Sequence, residues 1–208
     1  MQIGEQVNKA IILGNGANRE GMFYEEWGLL KIIRDTFDIW ACNLAYREDL
    51  NIKTLVATDA HRQHEIYCSG YANDNRCIFL DWNPVTSEAT TPELLELAGF
   101  TTKYNDYDSH GVVISGWKNT MFFTYLNETD KVENVKMSEL PKRFSSGGFA
   151  MWLAAKEGYK EILLAGFGDT KHAYREYAEG VDIPHVKIWE EERKFIIDSF
   201  KDVKWRYV

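Results

Sequence analysis

Cysteine is scarce in this chain, three residues in 208, and Cys42, Cys68 and Cys77 show neither a CxxC spacing nor a Cys/His pairing of zinc type. An odd, sparse set is a poor disulfide framework, so a reducing, cytoplasmic setting is expected. Long apolar runs are absent too. No stretch approaches the roughly 20 apolar residues of a membrane span. Met1–Lys9 is polar and the apolar run behind it is about five residues long, so a signal peptide is not expected. Positive charge is in deficit: 24 Lys and Arg against 32 Asp and Glu leave a formal charge of −8. Non-specific nucleic-acid binding depends on Lys and Arg neutralising phosphates, and this balance opposes it without excluding a small basic groove. Repeats, low-complexity tracts and linkers are missing as well, which favours a single domain over residues 1–208.

What is present is the material of a folded core, 45% hydrophobic and 14% aromatic, with seven Trp and eleven Tyr that also supply flat surfaces for a sugar or a base. Apolar runs of four to six residues alternate with helix-like segments. That pattern implies an α/β, Rossmann-like fold, a mostly parallel sheet flanked by helices. Strands are expected at Ala10–Leu13, Asp38–Asn43, Thr54–Thr58, Cys77–Asp81, Gly111–Ser115, Ile162–Gly166 and Lys204–Tyr207. Helices are expected at Glu25–Asp35, Ala60–Cys68, Pro92–Ala98, Gly148–Glu157 and Val186–Phe200. The last is the clearest, with Trp189, Ile196 and Phe200 on one face. Within the less regular Thr101–Lys142, Met121–Leu126 reads as a strand that pairs with Gly111–Ser115 as a hairpin at the sheet edge. Gly168–Pro184 is polar, Tyr-bearing and bounded by Gly, and reads as a mobile lid.

Two Gly-rich turns stand out. Ile11-Ile12-Leu13 runs into Gly14-Asn15-Gly16, and Arg143-Phe144-Ser145-Ser146 runs into Gly147-Gly148 at the start of a small-residue helix. Each sets small and polar residues where an anionic ligand could meet bare backbone N–H groups. The first is not the dinucleotide fingerprint, because Arg19 occupies the third Gly position, and an NAD enzyme is disfavoured. It also reads as a plain tight turn from strand to helix. The second also reads as a Ser N-cap followed by Gly for close helix–sheet packing.

Asn43 and Asp59 end the second and third expected strands, where polar side chains project into the ligand crevice of open α/β sheets. Both residue types are equally good helix N-caps, so that alternative stays open for each.

The ordered set of these motifs resembles the bacterial sialyltransferases of glycosyltransferase family 42. That family has an apolar strand into Gly-Asn-Gly, a Phe-Asp-x-x-x-Cys-Asn strand and a strand ending in Asn. An Arg-x-Ser/Thr-Ser-Gly helix start, Gly-Tyr-Lys-Glu-Ile, a Tyr-bearing lid and a His opening the last helix follow. The matching segments are Gly14-Asn15-Gly16, Phe37-Asp38-Ile39-Trp40-Ala41-Cys42-Asn43, Arg143-Phe144-Ser145-Ser146-Gly147 and Gly158-Tyr159-Lys160-Glu161-Ile162, in the same order from about residue 10 onward. The resemblance implies CMP contacts at Asn15, Asn43, Ser145, Ser146 and Gly147, with Gly14, Gly16 and Arg143 in the same donor-binding segments. Asp59 stands where the family usually has Asn. The resemblance further implies that Tyr174 and Tyr177 stabilise the leaving phosphate and that His185 is the general base. It departs in the middle region, which has no match to the parts that shape sugar and acceptor specificity. It departs again at Val208, where the chain stops without the extension that associates family members with membranes.

The chemistry is coherent on its own terms. Glycosyl transfer with a nucleoside monophosphate leaving group needs a base for the acceptor hydroxyl, and His titrates near neutrality. It also needs donors on the departing phosphate, which Tyr hydroxyls provide without a metal. The expectation is therefore a metal-independent, inverting glycosyltransferase whose co-substrate is a CMP-sugar or another nucleotide sugar. Its acceptor would be a glycan or other hydroxyl-bearing molecule, and the oligomeric state, including a homo-oligomer, is left open. Two other readings stand beside it: a glycosyltransferase acting on modified nucleic acid bases, and a non-catalytic nucleotide-binding module. His172 in the lid is the rival base. His61 and His64, three apart on one expected helix face, read as exposed or acceptor-facing rather than as half a metal site. Tyr104-Asn105-Asp106-Tyr107-Asp108, acidic and aromatic, reads as a surface loop, with the lining of an acceptor groove as the alternative.

Overall fold

The computed structural model of the chain describes residues 8–19, 33, 35–48, 50–82, 84–85, 101–105, 111–117, 120–126, 132–168 and 185–208. In chain order the strands are β1 (Lys9–Leu13), β2 (Asp38–Cys42), β3 (Ile52–Ala57), β4 (Cys77–Leu80), β5 (Pro84–Val85), β6 (Thr101–Asn105), β7 (Gly111–Trp117), β8 (Thr120–Leu126), β9 (Val132–Val135), β10 (Glu161–Ala165) and β11 (Lys204–Tyr207). The helices are α1 (Ala60–Cys68), α2 (Tyr71–Asp74), α3 (Ser146–Lys156) and α4 (His185–Ser199). Strands β11, β10, β1, β2 and β3 pair parallel, as do β4 and β9, so the α/β, Rossmann-like class expected from the alternating pattern is borne out. The chain divides into two compact units, Met1–Val56 with Phe144–Val208, and Ala57–Arg143.

In the first unit the strands run β11-β10-β1-β2-β3, all parallel. Ala10, Ile11, Ile12 and Leu13 are all fully buried, and so are Trp40 and Ala41. Continuous rather than alternating burial is what a strand covered on both faces produces. Each fully buried Ile or Leu contributes roughly 1.5–3 kcal/mol. Helix α3 lies against β1 and β2 and buries Phe149, Ala150, Met151, Ala154 and Ala155, its alanines allowing close approach to the sheet. It stops where Gly158, at a φ of 95°, takes the left-handed conformation that glycine adopts at no steric cost. Aromatic contacts join α3 to α4 and the chain beyond it: Trp152 stacks on Phe195 at 6.2 Å and meets Phe200 edge-on at 4.9 Å.

In the second unit β4 and β9 are parallel neighbours, and β5-β7-β8-β6 form a separate four-stranded sheet. Gln63 on α1 is buried and donates through Nε2 to the carbonyls of Ala57 and Leu80, at 3.0 and 2.8 Å. One amide thereby satisfies two backbone acceptors at strand ends.

Several expectations change in detail. The Gly111–Ser115 and Met121–Leu126 segments do pair antiparallel, as β7 and β8, but in their own sheet rather than at the edge of the parallel one. Tyr104 and Asn105 lie in β6, not in a loop. Asn43 is not the last residue of β2; it opens a 3-10 turn, Asn43–Arg47. Helix α3 begins at Ser146, two residues earlier than the small-residue run suggested, because Ser145 caps it. The strands β5, β6 and β9 and the short α2 have no counterpart among the expected elements. The expected helix Pro92–Ala98 lies outside the described residues, as does Glu25–Asp35 apart from residues 33 and 35.

Candidate functional site

In the first unit the chain passes from β1 to β2 and β3 on one side, then returns through α3 to β10 and β11 on the other. The reversal lies between β1 and β10, and open α/β sheets bind ligands at the carboxyl ends of strands that flank such a point. The residues there are Gly14-Asn15-Gly16 after β1 and Gly166-Phe167-Gly168 after β10. Their backbones are bonded to each other: Gly14 N–H donates to Ala165 O at 2.7 Å and Gly16 N–H to Gly166 O at 3.0 Å. A Cβ at Gly14 or Gly16 would fall 2.7 or 2.5 Å from Gly166 O. These glycines thus serve close approach of two backbones, and their N–H groups are not bare as the turn alone suggested. What the turn leaves open is a side chain. Asn15 Oδ1 is buried and has no hydrogen-bond partner among the described residues.

The second Gly-rich turn meets the first across one ring. Phe167 lies against both, 3.2 Å from a Cβ built on Gly14 and 2.9 Å from one built on Gly147. At the start of α3, Ser145 is the N-cap, its Oγ accepting from Gly148 N–H at 3.2 Å. A helix start attracts an anion through its dipole and free N–H groups, and here the chain supplies one itself. The Glu192 carboxylate of α4, 3% exposed, accepts from Ser145 N–H at 3.1 Å and from Ser145 Oγ at 2.7 Å. A Cβ on Gly148 would overlap Glu192 Oε1 at 1.5 Å, so Gly148 is the space that the carboxylate fills.

At the end of β2, Asn43 takes a left-handed φ of 50° and is buried. Asn tolerates that conformation better than other non-glycine residues. Its Oδ1 accepts from Ser146 Oγ at 3.0 Å, and Cys42 Sγ donates to Ser146 O at 3.5 Å. Burial pushes the Cys42 thiol up to about 12, with the Arg19 charge working to lower it and the Glu192 charge to raise it. Arg19 itself is buried, its guanidinium forked onto the Glu48 carboxylate at 2.7 and 2.5 Å. The residue that breaks the dinucleotide pattern is therefore a buried cation held by a bidentate pair.

The first unit brings together Gly14, Asn15, Gly16, Asn43, Ser145, Ser146 and Gly147 at or beside the strand ends. Asp59 and Arg143 belong to the second unit and are exposed. Asp59 occupies the N-cap position of α1, yet its side chain makes no capping bond. His64 is buried on α1, so the exposed alternative does not hold for it. Among the described residues no group of His, Cys, Asp and Glu could hold a metal ion, and no helix is long and apolar enough to cross a membrane. His185 is the first residue of α4. Tyr174, Tyr177, His172 and the lid from residue 169 to 184 lie outside the described residues. Sequence reading missed Arg19, Glu48 and Glu192. Glu192 had a signal: it falls on the stripe 185, 189, 192, 196, the spacing of one helix face. Comparison of the chain with protein-family models, with curated proteins and with solved structures finds no match.

Proposed function

We propose that the protein is a glycosyltransferase of the sialyltransferase type, taking its sugar from a CMP-sugar or another nucleotide sugar bound at the carboxyl ends of β1 and β2. The observation that carries the reading is Asn15 Oδ1, a buried acceptor with no partner among the described residues, at the strand ends where α/β sheets take ligands. A buried acceptor left unpaired costs about 1–3 kcal/mol. A donor group of a ligand would relieve that cost, and the amino group of cytosine or a ribose hydroxyl is such a donor. The meeting of the two Gly-rich turns on Phe167, with the Asn43–Ser146 pair beside them, supports a single pocket for the nucleoside. The ordered motifs shared with the family 42 sialyltransferases support the same identity.

In this reading the acceptor hydroxyl attacks the anomeric carbon, the bond from that carbon to the phosphate oxygen breaks, and the nucleoside monophosphate leaves with the electron pair. His185 takes the hydroxyl proton, and Tyr174 and Tyr177 donate to the departing phosphate. The configuration at the anomeric carbon inverts. No metal takes part in the proposed steps.

The test is a thermal-shift panel of CMP, UMP, GMP and NAD, followed by incubation with CMP-sugars. A ligand at 100 times its Kd stabilises the native state by about 2.7 kcal/mol. CMP is expected to raise Tm most and a CMP-sugar to release CMP. A shift with NAD alone overturns the reading. CMP binding with no turnover of any donor leaves a nucleotide-binding module without catalysis.

A further inference from the structure

The most heavily buried carboxylate beside the candidate site has no part in the transfer chemistry above. Glu192 stands in the middle of α4, 3% exposed, with its oxygens received by the N–H and hydroxyl of Ser145. Removing an ion from water is costly unless charge-assisted hydrogen bonds and a favourable dipole receive it, and the α3 N-terminus supplies both. The fit is reciprocal. Gly148 has no Cβ where one would overlap the carboxylate, so α3 carries a notch where α4 inserts this charge.

The helix period says what this contact controls. Residues seven apart are 700° apart around a helix, within about 20° of two full turns, and about 10.5 Å apart along it. Backbone position 185, the first residue of α4, is seven residues before Glu192 and so lies on the same face, two turns nearer the helix start. Further along, Ile196 is buried on that face and the Trp152–Phe195 stack holds α4 from the neighbouring one. Between those contacts and position 185, the Ser145–Glu192 bond is a fixed point.

We propose that Glu192 is a positioning residue for the transfer: docked in the Gly148 notch, its carboxylate sets the rotation and advance of α4, and thereby where the base at position 185 stands relative to the donor. The inference rests on the transferase reading for its catalytic consequence. Its structural consequence, that the contact orders the first two turns of α4, does not depend on that reading.

The experiment uses the full chain and three variants, Glu192→Ala, Glu192→Gln and Gly148→Ala. Gly148→Ala reaches the same contact from the opposite side, because a Cβ there expels the carboxylate without altering it. Release of CMP from a CMP-sugar, affinity for CMP, and amide hydrogen exchange are read for each. In Glu192→Ala and Gly148→Ala, kcat is expected to fall about 100-fold, the scale of a misplaced catalytic group. CMP affinity and donor KM should change far less than kcat does, since the base does not hold the nucleotide. Glu192→Gln, which keeps an acceptor oxygen and the shape, should recover most of the rate. Exchange should quicken over residues 189–191 in the two damaging variants, and at the start of α3 where Ser145 loses its partner, but not in α1. Unchanged exchange over residues 189–191 overturns the inference whether or not the wild type transfers a sugar. Quickened exchange with an unchanged kcat overturns it as well, as does a loss of CMP affinity that matches the loss of rate. If Glu192→Ala does not fold, Gly148→Ala carries the same outcomes. A wild type that neither binds CMP nor turns over a donor sinks the transferase reading and leaves the exchange result to decide the contact.

Discussion

Gly16 meets Gly166 backbone to backbone, its N–H bonded to the Gly166 carbonyl at 3.0 Å with no room for a Cβ at residue 16. The pairing of β1 and β10 thus continues past both strand ends, to the point where the chain order reverses. Strand ends at such a reversal usually splay to admit a ligand. Here the glycines hold them together, and the approach to any ligand is left to side chains: Asn15, Asn43 and Ser146.

Gly16→Ala is therefore a stability variant as much as a site variant. The added Cβ would stand 2.5 Å from a carbonyl oxygen whose own residue, Gly166, is held at a φ of 78° and cannot easily retreat. Overpacking of this kind costs about 1–3 kcal/mol. The urea midpoint is expected to fall with the m-value unchanged; a midpoint equal to wild type would show that the two strand ends separate freely.

Ser146→Ala removes the hydroxyl that Asn43 Oδ1 accepts, inside a buried and left-handed segment. Leaving a buried acceptor without that donor costs about 1–3 kcal/mol. The double-mutant cycle with Asn43→Ala is expected to give a coupling of about 0.5–3 kcal/mol, as for residues in direct contact. Additive losses would mean that the two side chains act separately, and the common pocket argued for the nucleoside would lose one of its walls.

Much of this architecture could be read from the chain, because a parallel strand buried on both faces leaves an unmistakable apolar run. Ile11-Ile12-Leu13, Trp40-Ala41-Cys42 and Ile162-Leu163-Leu164 sit where those runs put them. Ser145 was legible as a cap for the same reason, a local rule with a local partner in Gly148. What stayed hidden depends on contacts distant in sequence. Nothing near Gly14 announces that its N–H will be taken by Ala165, 151 positions away. Nothing near Ser145 announces that the anion at its helix will come from Glu192, although the 3.6-residue period of α4 marks position 192 as inward-facing. The strands β6 and β9 escaped because half-polar segments such as Thr102-Lys103-Tyr104 and Glu133-Asn134 carry no clear period.

Cys42 makes a prediction in pH. Burial raises its thiol from 9.0 to about 12, so the folded protein holds this proton more tightly than the unfolded chain does. The contribution to stability is fully present below pH 9 and is lost as pH rises from about 9 toward 12, where only the unfolded chain ionises at first. Tyr71, also raised to about 12 by burial, acts in the same direction. Stability measured by urea titration should fall over that alkaline range, and Cys42→Ser should remove part of the slope. Below pH 8 the buried thiol should resist a thiol reagent until the protein unfolds. Rapid labelling of Cys42 in the native state would contradict both expectations.

The proposed base is open to a sharper trial than loss of activity. His185→Ala should lower the rate of CMP release from a CMP-sugar by about 10²–10⁴-fold, the usual share of a general base. Affinity for CMP should be unchanged, because the proton it takes belongs to the acceptor. The pH profile separates a base from a packing residue. In the wild type, kcat/KM should show an acidic limb, rising as the ring loses its proton and becomes able to accept one. In His185→Ala that limb should disappear, and a nucleophile that needs no proton removed should restore turnover. Azide or formate fits that description, since either attacks the anomeric carbon as an anion. Rescue by such an anion with the acidic limb gone would assign the proton transfer to residue 185; an unchanged limb would move the assignment to another group, with His172 the first to substitute.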